Sequence, residues 1–329
     1  DSELVRRILS DDQDEVMPPP EHNKNLTPVE IQLLKDWISQ GAKWSGHWSY
    51  EPLNSSADRS GNWIDKLVQA ELSSDGISAS AKAKDHILNR RVFFDLVGLP
   101  PSKDELNAFS KDTSKDAWEH QVDRLLASPH FGERMAIYWL DLVRYADTVG
   151  YHGDQDVSVS PYRDYVIDAF NSNMPFDQFT REQLAGDLLT SPTQSQLIAS
   201  GYNKLGMMSA EGGAQPKEYL TKYASDRVRT ASTVWLGSTL GCAECHNHKF
   251  DPFTQKDFYQ FASFFADIKE RGLYAGANRD GAWGPSVKVA DDELADLLKA
   301  IDSRLAEMQD AYESTDVSQP FQQWVTDQE

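Results

Sequence analysis

Phe131-Gly132-Glu133-Arg134-Met135-Ala136-Ile137-Tyr138-Trp139-Leu140-Asp141-Leu142-Val143 carries the fold class of this chain. Phe131, Met135, Tyr138, Trp139, Leu142 and Val143 recur at the three-and-four spacing of a single helix face, so a long amphipathic helix ending near Asp147 is expected. The same period continues on both sides. Upstream, Ser102-Lys103-Asp104-Glu105 reads as a capping box after the turn Gly98-Leu99-Pro100-Pro101. Thr27-Pro28-Val29-Glu30 is another, followed by an apolar face of Ile31, Leu34, Trp37 and Ile38 and a stop at Gly41. Downstream, Ser160-Pro161 opens a helix that Asn173-Met174-Pro175 closes. A long helical stretch is expected from about Pro216 to Leu240. Thr254-Gln255-Lys256-Asp257 begins a helix with Phe258, Phe261, Phe264 and Phe265 on one side. From Asp292 to Ser314, Leu294, Leu297, Leu298, Ile301, Leu305 and Met308 stand at heptad-like spacing, which predicts a helical arm or coiled-coil segment. Strand signals are weak throughout, and the expected class is mainly α.

The 329 residues suffice for two domains, or for one large domain with appendages. Hydrophobic residues make up 40% of the chain and nine are Trp, enough for a substantial core. The formal net charge of −20 excludes a nucleic-acid or anionic-membrane surface, because both need basic patches. No apolar run approaches the roughly 20 residues that span a bilayer.

Both cysteines fall in Cys242-Ala243-Glu244-Cys245-His246. C-x-x-C-H is the attachment signature of c-type haem: two thiols add to the porphyrin vinyl groups, and the adjacent imidazole ligates the iron as proximal ligand. Two other readings stay open. The cysteines could be half of a zinc site with His246 or His248, although no second C-x-x-C exists to complete it. They could also be a redox pair, although no βαβ pattern surrounds them. Covalent haem is the working reading.

The stretch 64–266 resembles the planctomycete cytochrome-c-like domain of unknown function (family 1549). The matching runs include Arg90-Arg91-Val92-Phe93-Phe94-Asp95-Leu96-Val97-Gly98-Leu99-Pro100-Pro101, Arg144-Tyr145-Ala146-Asp147-Thr148-Val149-Gly150-Tyr151, Asn173-Met174-Pro175-Phe176-Asp177-Gln178-Phe179 and Cys242 to Pro252. The family more usually has Asp where this chain has Asn247, a departure that leaves the haem ligands untouched. Residues 1–47 resemble the tail of the companion planctomycete cytochrome c domain, with Met17-Pro18-Pro19 at the place of its axial methionine but no C-x-x-C-H of their own. The resemblance implies a multi-helical haem domain at 63–269; a Ser-, Gly-, Asn- and Pro-rich stretch before it reads as a linker at 48–62, Gly-rich sequence of little pattern after it as a connector at 270–290, and the heptad-like spacing as a helical arm at 291–329. The resemblance also implies that the chain is the middle of a larger exported protein with a cytochrome c domain before it and a further domain after it. The expected setting is periplasmic or otherwise extracytoplasmic, since thioether attachment normally takes place outside the cytoplasm.

Three functional readings follow from this organisation. The first is an exported c-type haem protein in an oxidative pathway on an organic substrate, with carbohydrate as the substrate class, exchanging electrons with the neighbouring cytochrome. If an enzyme, it is a haem-dependent oxidoreductase. The second is a pure electron-transfer module, and the third a zinc-stabilised scaffold without haem.

A c-type haem needs a sixth-position ligand or an open sixth site. His248 is too near His246 in sequence to reach the opposite face of the same iron, which leaves His152, Met207 and Met208 as candidate distal ligands. Each also has an ordinary reading, as a loop histidine or a core-filling methionine. Arg144 and Arg227 are candidate partners for the haem propionates. Asp154 and Asp156 have the spacing of a minimal Ca²⁺ site. For Tyr145, Asp147, Tyr151, Arg163, Asp164, Glu211, Asp226, Lys249 and Asp251, salt bridges and hydrogen bonds between helices are the plain alternative.

Overall fold

Fourteen α-helices with short connections make up the described part of the chain, and among the described residues the only β pairing is an isolated antiparallel bridge between Thr148 and Asp156. The structure is a computed structural model that describes residues 2–22, 24–43, 47–52, 61–151, 153–274, 286–289, 292–314 and 318–328. The chain divides into two compact units, Asp1–Ala81 and Lys82–Glu329. Most of the expected linker at 48–62 and of the connector at 270–290 lies outside the described residues.

The first unit contains α1 (Glu3–Ile8), α2 (Pro28–Ser39) and α3 (Trp63–Ser74). The expected capping box starts α2: Thr27 Oγ1 accepts the Glu30 N–H at 3.3 Å, and the Glu30 carboxylate accepts the Thr27 N–H at 2.7 Å. These bonds satisfy amides that have no partner within the helix. Ile31, Leu34, Trp37 and Ile38 are its half-buried side, whereas Val29 and Leu33 are exposed. At the other end Gly41 takes a left-handed φ of +96°, and Ala42 N–H closes back on Trp37 C=O.

The second unit begins with α4 (Asp85–Leu96), α5 (Lys103–Lys111) and α6 (Ala117–Leu126), which pack around Phe93, Val97 and Leu125. Then come α7 (Pro129–Leu142) and α8 (Ser160–Asn171) as a closely packed pair. Gly132 sits at their crossing. A Cβ there would lie 2.4 Å from the Ile167 carbonyl, so only glycine allows the backbones so near. Trp139 and Val143 on α7 meet Tyr162, Tyr165 and Val166 on α8, with Phe179 from α9 (Phe176–Ala185) and Ala199 from α10 (Gln194–Ala199) completing the core. Gln183 satisfies two of the buried polar groups of that core: its side-chain oxygen accepts Trp139 Nε1–H at 2.9 Å and Tyr162 O–H at 2.5 Å.

The helix expected to end near Asp147 stops at Leu142. Arg144 adopts φ +61°, its N–H bonds Asp141 C=O and the Tyr145 N–H bonds Leu140 C=O, a Schellman-type closure without glycine. Its side chain is held by Asp226 and the Leu205 carbonyl, which keeps an unfavourable backbone conformation in place. The long helix α11 (Pro216–Leu236) likewise ends four residues before Leu240, at Gly237 with φ +58°. It runs through three clusters. Tyr219 and Tyr223 pack with Val149, Met208 and Tyr274; Val228 with Leu240, Ala243 and Phe258; Trp235 against the Trp139 core. After α12 (Gln255–Ser263) come the expected arm, α13 (Asp292–Ser314), and a further helix, α14 (Ser318–Gln328).

Candidate functional site

The cysteine motif occupies a 3₁₀ turn, Leu240–Glu244, between α11 and α12. Inward and outward roles divide along it. Leu240 and Ala243 are buried against Val228 and Phe258, so Cys242 and Cys245 are left exposed and unpaired. Glu244, the second residue between the cysteines, is tied to α11: its carboxylate accepts Ser225 O–H at 2.7 Å and an Arg229 guanidinium N–H. Its carbonyl accepts Tyr259 O–H and a Gln255 side-chain N–H, both at 3.1 Å from α12. Asn247 Oδ1 takes the Gln255 backbone N–H at 2.9 Å. The parts that Ser225, Arg229, Gln255 and Tyr259 play in holding the turn went unrecognised in the sequence. Ser225 and Arg229 carry only a weak signal, their four-residue spacing on one face of α11.

The two histidines are set differently. His246 is exposed, and its Nδ1 lies 2.8 Å from the Asn247 carbonyl oxygen. A carbonyl only accepts, so Nδ1 carries the proton and Nε2 the lone pair. That tautomer suits a metal-ligating imidazole. His248 has the reverse arrangement. Its Nδ1 accepts the backbone N–H groups of Phe250 and Asp251, at 3.3 and 2.8 Å, and its own N–H bonds Phe253 C=O, so it shapes the loop. Phe250, Tyr259 and Phe264, on the loop and on α12, present exposed aromatic rings.

The donor set fits haem c: two outward thiols three residues apart and an adjacent imidazole with Nε2 unengaged. Among the described residues no three His, Cys, Asp or Glu side chains come together so as to hold a metal ion. Asp154 Oδ1 instead accepts the Gly150 N–H at 2.9 Å, and Asp156 pairs through its backbone with Thr148.

The remaining candidates within the described residues are not brought to the motif. His152 lies outside the described residues. Met208 is buried among Val149, Tyr219 and Tyr223, and its N–H bonds Val149 C=O. Met207 is about half exposed and lies beside Gly150. Both belong to the side of α11 that carries Tyr219, Tyr223 and Asp226, whereas the motif packs on the side of Ser225 and Arg229. At 100° per residue these are different faces. Arg144 pairs with Asp226 at 2.5 Å. Arg227, on the face of α11 opposite the motif, forms a two-pronged pair with Glu270 at 2.9 and 2.5 Å and also donates to the Asn203 carbonyl at 2.8 Å. Both guanidinium groups therefore have internal carboxylate partners.

Tyr145 O–H donates to Asp147 at 2.7 Å; burial and that neighbouring carboxylate push the phenol well above its ordinary pKa. Burial also pushes the Tyr223 phenol up to about 12, so it acts as a neutral donor and acceptor, giving its proton to the Gly272 carbonyl while accepting the Ser209 N–H. Lys204 is lowered by burial and lies 3.5 Å from the Lys269 carbonyl and from Tyr274 O–H. These contacts hold the segment that follows α12 against α11.

Residues 63–270 match the family model PSCyt2, described as a protein of unknown function (DUF1549). The chain belongs to the PSCyt2 family. The match takes in α3 and runs to Glu270, the partner of Arg227, so the cysteine turn and the buried ion pair both lie within the family domain. No curated protein and no solved structure matches the chain. Among the described residues no helix is long and apolar enough to cross a membrane.

Proposed function

We propose that this PSCyt2 domain is an exported c-type haem protein that exchanges electrons with a neighbouring cytochrome domain, within an oxidative pathway on an extracytoplasmic organic substrate of carbohydrate type. The observation that carries the reading is the state of the motif: Cys242 and Cys245 exposed and unpaired, beside an exposed His246 whose Nδ1 is bonded to the Asn247 carbonyl, which leaves the lone pair on Nε2. Bound there, haem supplies one-electron redox chemistry.

The residues of the chain have separate tasks. Cys242 and Cys245 would hold the haem through their thiols, and His246 Nε2 would supply a ligand to its iron. The Asn247 carbonyl holds the imidazole in the right tautomer, and accepting the Nδ1 proton also makes Nε2 more basic. Ser225, Arg229, Gln255 and Tyr259 fix the turn through Glu244, so the three attachment groups keep one spacing. The exposed rings of Phe250 and Tyr259 offer apolar surface beside the motif. A turn on the outside of the domain favours electron exchange across a surface over chemistry in an enclosed cavity.

The test is production of the chain alongside a cytochrome c maturation system, followed by intact mass under denaturing conditions and an absorption spectrum. One haem added in mass, retained after denaturation and lost in the Cys242→Ser/Cys245→Ser variant, is the expected result. An unmodified chain with no Soret band despite competent maturation would overturn the proposal.

A further inference from the structure

The arm α13 has no role in the haem reading, yet its surface is the most regular in the chain. Leu298, Ile301, Leu305, Met308 and Tyr312 follow one another at intervals of three, four, three and four residues, and Leu294 continues the pattern upstream. That 3.5-residue period is the seam of a coiled coil, with Leu298, Leu305 and Tyr312 at a and Ile301 and Met308 at d. Each of the five is between 46% and 84% exposed. Five large apolar side chains in one continuous exposed row are what an interaction surface looks like, whereas single exposed apolar residues need no explanation.

The charges say which partner this seam accepts. The chain carries a net −20, so contact between two copies is repulsive unless the contact surface is kept clear of acid. On α13 it is kept clear. In the heptad frame Asp296, Lys299, Glu307, Asp310 and Glu313 fall at the outer b, c and f positions. Only Asp302, at e, and Arg304, at g, flank the seam, and they cancel. A basic or strongly charged partner would find no complementary row there, whereas an identical helix meets a neutral, apolar edge.

The same two charges choose the orientation. With both strands antiparallel and every layer filled, Leu298 meets Met308 and Ile301 meets Leu305. Asp302 then faces Asp302 of the second copy, and Arg304 faces Arg304. In a parallel pair Arg304 lies toward Gln309 and Asp302 toward Leu297, with no like charges in contact.

We infer that α13 is a self-association device: two copies of this chain join through a parallel two-stranded coiled coil along Leu298, Ile301, Leu305, Met308 and Tyr312. The inference does not depend on whether haem is bound. The seam from Leu298 to Tyr312 spans just over two heptads, short for a stable pair, so the dimer is a weak, reversible one whose population rises with concentration.

Sedimentation of the full chain over a wide concentration range tests this. Twice the chain mass at high concentration is expected, falling to the single mass on dilution, with dimer lost in a Leu298→Lys/Leu305→Lys variant whose thermal unfolding is unchanged. Orientation is read from Leu298→Cys under oxidation, judged against the unsubstituted chain. A parallel pair brings the two introduced thiols together and yields a cross-linked dimer above the level given by Cys242 and Cys245. A single mass at every concentration, or a dimer that survives the double substitution, would overturn the inference. Cross-linking only when Leu298→Cys is mixed with Met308→Cys would overturn the parallel arrangement.

Discussion

Replacing Glu270 with alanine is the sharpest test of how the family domain is held together. Arg227 and Glu270 have side chains each only 10% exposed, and both guanidinium prongs and Nε are hydrogen-bonded, to Glu270 and to the Asn203 carbonyl. Removing the carboxylate leaves a guanidinium that cannot lose its proton at any ordinary pH, desolvated and short of two acceptors. Breaking one side of such a buried pair costs about 3–5 kcal/mol, a large part of the roughly 5–15 kcal/mol by which a domain is stable. The half-exposed pair Arg124–Glu105 gives the internal comparison, because solvent screening limits its loss in Arg124→Ala to under about 1 kcal/mol. Urea unfolding followed by far-ultraviolet circular dichroism measures both, with the slope checked for constancy so that a shifted midpoint means changed stability. The double variant Arg227→Leu/Glu270→Leu separates the interaction from the packing. It regains most of the stability lost in Glu270→Ala, since an apolar pair of similar volume carries no uncompensated charge. If Glu270→Ala lost no more than Arg124→Ala, the pair would be solvated and the reasoning wrong.

Other expectations follow from equally local features. Gly132→Ala puts a methyl group 2.4 Å from the Ile167 carbonyl and forces α7 from α8 at a cost of about 1–3 kcal/mol, whereas Gly201→Ala, with open space around it, leaves thermal unfolding almost unmoved. The Asp257 carboxyl is held below its ordinary value by the Thr254 hydroxyl and N–H. A depressed folded-state pKa gives stability that is full above the unfolded value and disappears as pH falls through the folded one, so acid weakens the start of α12. In Thr254→Ala the Asp257 titration followed by NMR returns toward the ordinary range; an unchanged titration would show that the cap does not set it.

The helical class and many helix starts were legible because their causes are local. Thr27, Ser102 and Thr254 all form the capping boxes that their spacing announces. Thr193 and Gln196 form another that was overlooked, with Gln in the place more often filled by Glu. The end of α7 was misread because its left-handed residue is Arg144, and the reason an arginine tolerates that conformation lies 82 residues away at Asp226. The site shows the same division. Cys242, Cys245 and His246 stand out in the sequence, but the tautomer of His246 depends on a backbone carbonyl that no pattern reveals. Arg144 and Arg227 looked equally available, and only the fold shows the carboxylates that engage them.

Ala243 and Glu244 give the cysteine turn a property of their own. In a C-x-x-C-H pattern the two middle letters are usually taken as free, because neither contributes an atom to ligation. Here Ala243 is fully buried beside Val228 and Phe258, and Glu244 is moored to two helices. The variable letters are therefore the anchored ones, and the invariant letters hang in solvent. Within the motif the fold of this corner rests on Ala243 and Glu244, so changes there are felt as altered folding, whereas on the proposed haem reading changes at Cys242, Cys245 and His246 are felt as altered attachment.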